Sequence, residues 1–247
     1  LKRVHAYSWN YSDALLASFG ARGKNLWNST AADGAISDGN TLYTQRTFVA
    51  PYKDDSSKSS RSQSNQFALC VSEIVAENPS SDSVNVSVKL KFMADTEKDL
   101  SAELKQFPDR VAVISEGQLL AVVDLDGVKG INIEALNGLV TLTGKVAAHS
   151  RVQCFVYIPS WEMKAEEHKL LKGGEDLLSA TEAYWKRLMS SVMQVEIPDP
   201  LLNNVILASQ VHCLIAAYTD PADGTIEPWI ASMLYGPLES EANSIVR

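Results

Sequence analysis

The sequence predicts an antiparallel β-sandwich followed by α-helices, a mainly β chain with a multidomain α and β organisation. From residue 84 to residue 92, apolar residues alternate strictly with polar ones, which is the pattern of a strand with one buried face. Further short apolar runs follow at close spacing, separated by Gly and Asn turns. After Pro159 the apolar period changes from two residues to three or four, which indicates helices.

The predicted strands are separated by turns too short to hold crossover helices, so they should pair antiparallel. A β-rich run at 67–76 precedes the turn N-P-S-S-D and then the alternating strand at 84–92. Further strands are predicted at 111–114, 119–125, 139–146 and 152–158. Six or more strands of this kind favour a sandwich, and we assign residues 1–162 to that domain. Within it, residues 53–66 are almost all polar and should form a solvated loop.

A linker over residues 163–197 should contain one amphipathic helix. Apolar positions recur at three and four residues from 175 to 192, and the pair Gly173 and Gly174 marks the helix start. We expect Tyr184 and Trp185 to be core residues where this helix docks.

A second helix is predicted at 201–217, in the segment 198–247. Asp199 is a good N-cap residue, and Pro200 suits the first helical position. This helix is apolar on most sides, so we expect neighbouring elements to bury it. A third helix should begin at Leu238, and the helical part is expected to continue past residue 247 or to rest on the sandwich.

The charge and the motif content exclude several function classes. With 22 basic against 30 acidic residues, the net charge is -8, and such a negative charge does not favour binding to the phosphates of nucleic acid. No basic amphipathic stretch indicates a membrane surface, and no apolar run is long enough to span a bilayer. The sequence has no nucleotide-binding glycine pattern and no Gly-x-Ser-x-Gly turn. Its cysteines and histidines are scattered, so we predict neither a cofactor nor a metal site.

Three motifs after the predicted sandwich carry a resemblance to a known superfamily. They are YWKRL at 184–188, IPDPLLNN at 197–204 and YGPLESE at 235–241. Together with the order of sandwich, linker helix and apolar helix, they resemble the sandwich-to-barrel connection of the six-hairpin glycosidases. The resemblance covers the whole chain in architecture and residues 183–247 in motif.

The resemblance implies a fold and a chemistry. Members of that superfamily have an amino-terminal β-supersandwich followed by an (α/α)6 barrel, and they act on glycosidic bonds of oligo- or polysaccharides through carboxylate acid and base groups. Inverting hydrolysis is implied, with phosphorolysis as the near alternative. The resemblance also implies that most catalytic residues lie beyond this chain, that the fragment alone is inactive, and that the location is secreted or periplasmic.

Residues 218–237 form a loop rich in aromatic and acidic residues, and this loop supplies our candidate sugar-binding patch. Aromatic rings offer a flat apolar surface to a pyranose, and carboxylates accept hydrogen bonds from its hydroxyl groups. Tyr218 lies in the same loop. The patch that we predict to contact substrate consists of Glu227, Trp229, Tyr235 and Glu239.

Other interpretations of these residues remain open. If the chain is helical from Leu238, Glu239 and Glu241 point roughly 200° apart and cannot both face one sugar, whereas both suit a helix N-terminus. The aromatic residues of the loop could instead pack on the barrel floor. A non-catalytic sandwich that binds glycans or a protein partner is the alternative function, with its carbohydrate-binding face formed by Trp9, Tyr11, Trp27 and Tyr43.

Overall fold

The computed structural model describes residues 4–11, 14–16, 24–27, 32–38, 41–51, 68–94, 102–136, 139–159, 161–190, 194–215, 217–219 and 226–228. In chain order, its strands are β1 (Val4–Tyr11), β2 (Ala14–Leu16), β3 (Lys24–Trp27), β4 (Ala32–Asp38), β5 (Thr41–Pro51), β6 (Ala68–Asn78), β7 (Val84–Ala94), β8 (Glu103–Gln106), β9 (Arg110–Ser115), β10 (Gln118–Asp124), β11 (Ile131–Leu136), β12 (Leu139–Val146), β13 (Ser150–Pro159), β14 (Ala217–Thr219) and β15 (Ile226–Pro228). A 3₁₀ helix (Ala165–Leu170) precedes α1 (Gly174–Met189) and α2 (Pro200–Ile215). The predicted loop at 53–66 lies outside the described residues.

The strands form two large antiparallel sheets and one small hairpin. The first sheet has the order β11-β12-β7-β1-β2, and the second has the order β3-β4-β5-β6-β13-β10-β9-β8. Every strand pair in the described part of the chain is antiparallel. The mainly antiparallel β architecture predicted from the sequence is therefore confirmed, whereas an (α/α)6 barrel is not seen in the described residues.

Strand β7 shows why the alternating pattern was informative. Val86, Val88, Leu90 and Phe92 are buried, and they pack in a core that lies between the two sheets. Residues of β11 and β12 share that core with residues of β6, β9, β10 and β13. The strand thus presents one face to the facing sheet and one to solvent, as its sequence predicts.

The middle strands of the eight-stranded sheet are buried on both of their faces. The inner face of this sheet contributes to the core between the sheets, and its outer face forms a second apolar cluster beneath the 3₁₀ helix and the start of α1. Strands β9, β10 and β13 consequently have nearly continuous buried runs instead of alternation. A strand covered on both sides has no solvent face that would select polar residues.

The helices begin and end close to the predicted positions. Helix α1 starts at Gly174, and an added Cβ at that position would overlap the ring of Phe155, so the helix approaches the sheet closely there. Leu177 and Leu178 of α1 pack on the outer cluster. In the part of the chain that the structure describes, no helix is long and apolar enough to cross a membrane.

Candidate functional site

One residue of the predicted sugar-binding patch has a described backbone. Glu227 lies in β15 and is the register partner of Tyr218 in β14. Trp229, Tyr235 and Glu239 lie outside the described residues, as does the helix predicted from Leu238. The structure therefore leaves the patch as a prediction.

The segment predicted as an irregular loop contains a short antiparallel hairpin. Strands β14 and β15 pair over three residues each, with the sequence DPADGT between them. The prediction of a loop throughout 218–237 is wrong at 218–219 and 226–228. The many turn residues in this segment led to the prediction of a loop. Two short runs of β-compatible residues nevertheless form strands, because their backbones pair with each other.

The motif at 197–204 builds the start of α2. The Asp199 carboxylate Oδ1 accepts hydrogen bonds from the backbone N–H groups of Leu201 (2.9 Å) and Leu202 (3.3 Å), which makes Asp199 the N-cap. The side chain of Asn203 accepts a bond from the Ile197 N–H at 3.0 Å and donates one to the Ile197 carbonyl at 2.8 Å. The predicted N-cap is confirmed, and this clasp between Asn203 and Ile197 fixes the direction in which the chain enters α2.

The first turns of α2 are exposed in this chain, although their sequence is apolar. Leu201, Leu202 and Val205 are 66%, 50% and 51% exposed. No element of the described chain covers these residues, so the expectation that neighbouring elements bury this helix stays a prediction. The sequence signalled a helix with apolar faces, but it could not signal what lies against them.

The docking of α1 differs in one residue from the prediction. Thr181 is buried, and helix geometry places position 185 about 40° from it and position 184 about 60° to the other side. Trp185 is half-buried, whereas Tyr184 is 43% exposed and lies beneath the Arg187 guanidinium, 5.8 Å from it. The prediction of a core position is wrong for Tyr184. This residue lies at the edge of the buried helix face, so its side chain is outside the interface with the sheet.

Tyr43 is not available as a carbohydrate-binding residue. It is 1% exposed and belongs to the core between the sheets. The other aromatic residues of the alternative binding face, Trp9, Tyr11 and Trp27, lie on β1 and β3, and their side chains are outside the described set.

Sequence reasoning missed a buried charged pair in the eight-stranded sheet. The Asp124 side chain has no exposed surface, and its Oδ2 lies 2.9 Å from Nη2 of Arg110 on the neighbouring strand. Its Oδ1 accepts the backbone N–H of Asp126 at 2.9 Å. The available signal was a carboxylate inside the apolar run AVVDL, a position where a charge must be paired.

This pair does not form a hydrolytic site. Burial raises the pKa of Asp124, and the Asp126 N–H and the Arg110 guanidinium partly oppose that rise. A glycosidase acid must reach the scissile oxygen, and it needs a second carboxyl group across the bond. Because Asp124 is fully enclosed, it cannot meet a sugar, and its role is to pair with Arg110.

Among the residues that the structure describes, the remaining polar and thiol groups of the sandwich interior form no catalytic centre. No cluster of three or more His, Cys, Asp or Glu side chains that could hold a metal ion occurs in the described residues. Cys70 and Cys154 are free thiols, and burial raises the pKa of both, that of Cys154 to about 12. A cavity of about 30 Å³ beside Cys154 is far smaller than a sugar-binding pocket.

Comparisons with known proteins found similarity to solved structures. No family model matches the sequence, and no curated protein matches it. The solved structure described as "Putative kojibiose phosphorylase from human microbiome" is similar to this chain, with 8% sequence identity and a TM-score of 0.36. The likeness covers 87% of this chain and 28% of that one, so the chain spans about a quarter of that structure's length.

Proposed function

We propose that this chain is the amino-terminal part of a carbohydrate-active enzyme of the six-hairpin type. The observation that carries the proposal is the order of its elements. An antiparallel sandwich is followed by α1, which packs on the outer face of one sheet, and then by α2, which begins at the motif that carries the resemblance.

The motif residues support the proposal through what they do locally. Asp199 caps α2, and Asn203 holds the backbone of Ile197 with two hydrogen bonds. This arrangement sets the direction of α2 relative to the preceding segment. In the proposed enzyme α2 is the first barrel helix, and its exposed Leu201 and Leu202 pack against further helices of that barrel.

The proposed chemistry is cleavage of a glycosidic bond by two carboxyl groups. One carboxyl group protonates the leaving oxygen, and the other activates a water molecule on the opposite face of the sugar. Inverting hydrolysis is the form we favour, and attack by inorganic phosphate is the near alternative. We place these carboxyl groups outside this chain, which contributes Glu227, Trp229, Tyr235 and Glu239 as substrate contacts.

Titration calorimetry with gluco-, manno- and xylo-oligosaccharides tests the contacts within this chain. Trp229→Ala removes a stacking surface and should weaken binding of the recognised sugar by up to about tenfold. The matched control is Trp27→Ala, which removes an aromatic residue from the sandwich and should leave binding unchanged. If Trp27→Ala removes binding and Trp229→Ala does not, the chain is a glycan-binding sandwich module. If none of the sugars binds, the proposed patch is wrong.

The enzyme activity is tested on the product of the complete coding sequence. We expect release of sugar from one of these oligosaccharides, and an assay with and without inorganic phosphate separates hydrolysis from phosphorolysis. Absence of both reactions on sugars that the protein binds would contradict the enzymatic proposal and leave the binding module.

A further inference from the structure

The segment that joins the sandwich to α1, residues 161–173, lies as a strap across the outer face of the eight-stranded sheet. Its first half is fixed by backbone contacts to the β9–β10 hairpin. Leu119 N–H donates to the Met163 carbonyl at 2.8 Å, and Ala165 N–H donates to the Gly117 carbonyl at 3.3 Å. Leu171 anchors the far end and is fully buried.

Its middle is fixed by His168. This residue is 5% exposed, and its imidazole stacks on the ring of Phe107 with centroids 4.0 Å apart and planes 21° apart. The His168 carbonyl accepts a hydrogen bond from Nη1 of Arg110 at 3.2 Å. Within the described structure, the buried Nδ1 of His168 has no hydrogen-bond partner.

These surroundings suit a neutral imidazole and not an imidazolium. A protonated ring needs a partner for each N–H, and it repels other cations. Arg110 on β9, Lys105 on β8 and Lys169 on the same 3₁₀ helix disfavour the proton, and Asp109 favours it.

The other acidic groups near the strap are already engaged or exposed. Asp124 of β10 pairs with Arg110 at 2.9 Å. The Glu167 carboxylate accepts the Lys164 N–H at 2.8 Å, and Glu166 is exposed. Burial, followed by Arg110 and the two lysines, therefore lowers the pKa of His168 below its ordinary value of 6.5.

We propose that His168 is a pH-operated latch, which holds the strap on the sheet while its imidazole is neutral and releases the strap when the imidazole is protonated. The proposal does not depend on the proposed enzymatic function. Release frees residues 161–173 and with them the start of α1, which lies against Phe155. The latch would therefore make the attachment of α1 to the sandwich sensitive to acid.

The direction of the pH effect follows from proton linkage. In the released strap the imidazole regains its ordinary pKa of 6.5, so the released form binds a proton more tightly than the closed form. The closed strap keeps its full stability above pH 6.5 and loses stability as the pH falls from 6.5 to the lowered pKa of the closed form. Over that window the opening equilibrium should rise by up to about tenfold per pH unit.

Hydrogen–deuterium exchange of the whole chain at about pH 7.5 and about pH 5.5, corrected for intrinsic exchange rates, tests the latch. Protection of amides in 161–173 should fall on acidification in the wild type. It should stay constant in His168→Phe, which keeps the ring contact with Phe107 and cannot be protonated. The matched control His149→Asn removes an exposed histidine from a left-handed turn position that Asn tolerates, and it should retain the wild-type response.

A proton NMR titration of the histidines in the wild-type protein tests the latch without any variant. We expect the His168 ring to titrate below 6.5 together with the loss of protection. The latch is wrong if this ring titrates at or above 6.5, or if folded His168→Phe opens on acidification as the wild type does.

Discussion

At the scale of single residues, Arg110 links two parts of the molecule that the sequence keeps far apart. Its guanidinium pairs with Asp124 in the sheet and donates to the His168 carbonyl in the strap. Removing one member of a buried ion pair leaves the other as an uncompensated charge, which costs more than the pair itself contributes. The effects of substituting Arg110 and Asp124 on the free energy of unfolding should therefore depend strongly on each other.

We expect Asp124→Asn to lower the free energy of unfolding by about 3 kcal/mol at neutral pH, because Arg110 then loses its buried counter-charge and keeps only the exposed Asp109 carboxylate, 3.5 Å from its Nε. Urea denaturation measures this value. Asp126→Asn, at an exposed neighbour with positive φ, is the control and should change little.

A double-mutant cycle separates the pair from its surroundings. The double variant Arg110→Met, Asp124→Leu should cost clearly less than the sum of the two single variants, since neither charge is left alone. Costs that simply add would show that the two residues do not stabilise each other.

At the scale of elements, two edge strands are joined by one side chain. Gln106 of β8 donates from Nε2 to the Ile133 carbonyl at 3.0 Å, and its Oε1 accepts the Ala135 N–H at 3.2 Å. Strand β8 is the edge of one sheet, and β11 is the edge of the other. The amide of Gln106 thus takes the place of a strand partner on β11 and bridges the sheets.

Gln106→Ala should reduce the free energy of unfolding by about 1 kcal/mol, because it removes two partly exposed hydrogen bonds. It should also promote self-association through the freed edge of β11. Urea denaturation and sedimentation velocity measure the two effects. Glu103→Ala, at an exposed position of the same strand, should show neither, and an equal effect of both variants would rule out the bridge.

Elements with a strong period could be predicted from the sequence, and elements defined by their neighbours could not. The alternation at 84–92 predicted β7, and the three-and-four period after Gly174 predicted α1. Strand β8 (ELKQ) has no such pattern, because it is short, polar and held at an edge. The exposure of Leu201 could not be predicted either, since it depends on which elements lie beside α2.

The candidate site was less predictable than the fold. Asp199 and Asn203 act within a few residues of their own positions, so a local motif could indicate them. Asp124 and Arg110 lie 14 residues apart and meet only through the register of β9 and β10. The contact between Arg110 and His168 depends on the path of the strap, which no local pattern encodes.

At the scale of the whole molecule, the eight-stranded sheet is shared by two apolar clusters. One cluster lies between the sheets, and the other lies beneath the strap and α1. Opening the strap exposes only the outer cluster. Solvent reaches the inner cluster only if the two sheets separate. The side chains of that cluster should therefore become accessible to solvent only on global unfolding.

The thiol of Cys154 reports on that separation, because it belongs to the inner cluster and its pKa is raised by burial to about 12. In a Cys70→Ser, Cys213→Ser background, Cys154 should react with iodoacetamide only through global unfolding. The free energy from the labelling rate should then equal that from urea denaturation. The matched variant Cys154→Ser, Cys213→Ser keeps half-buried Cys70, which should react faster through local opening. Labelling of Cys154 as fast as that of Cys70 would mean that the sheets separate without global unfolding, and that the sandwich is not one cooperative unit.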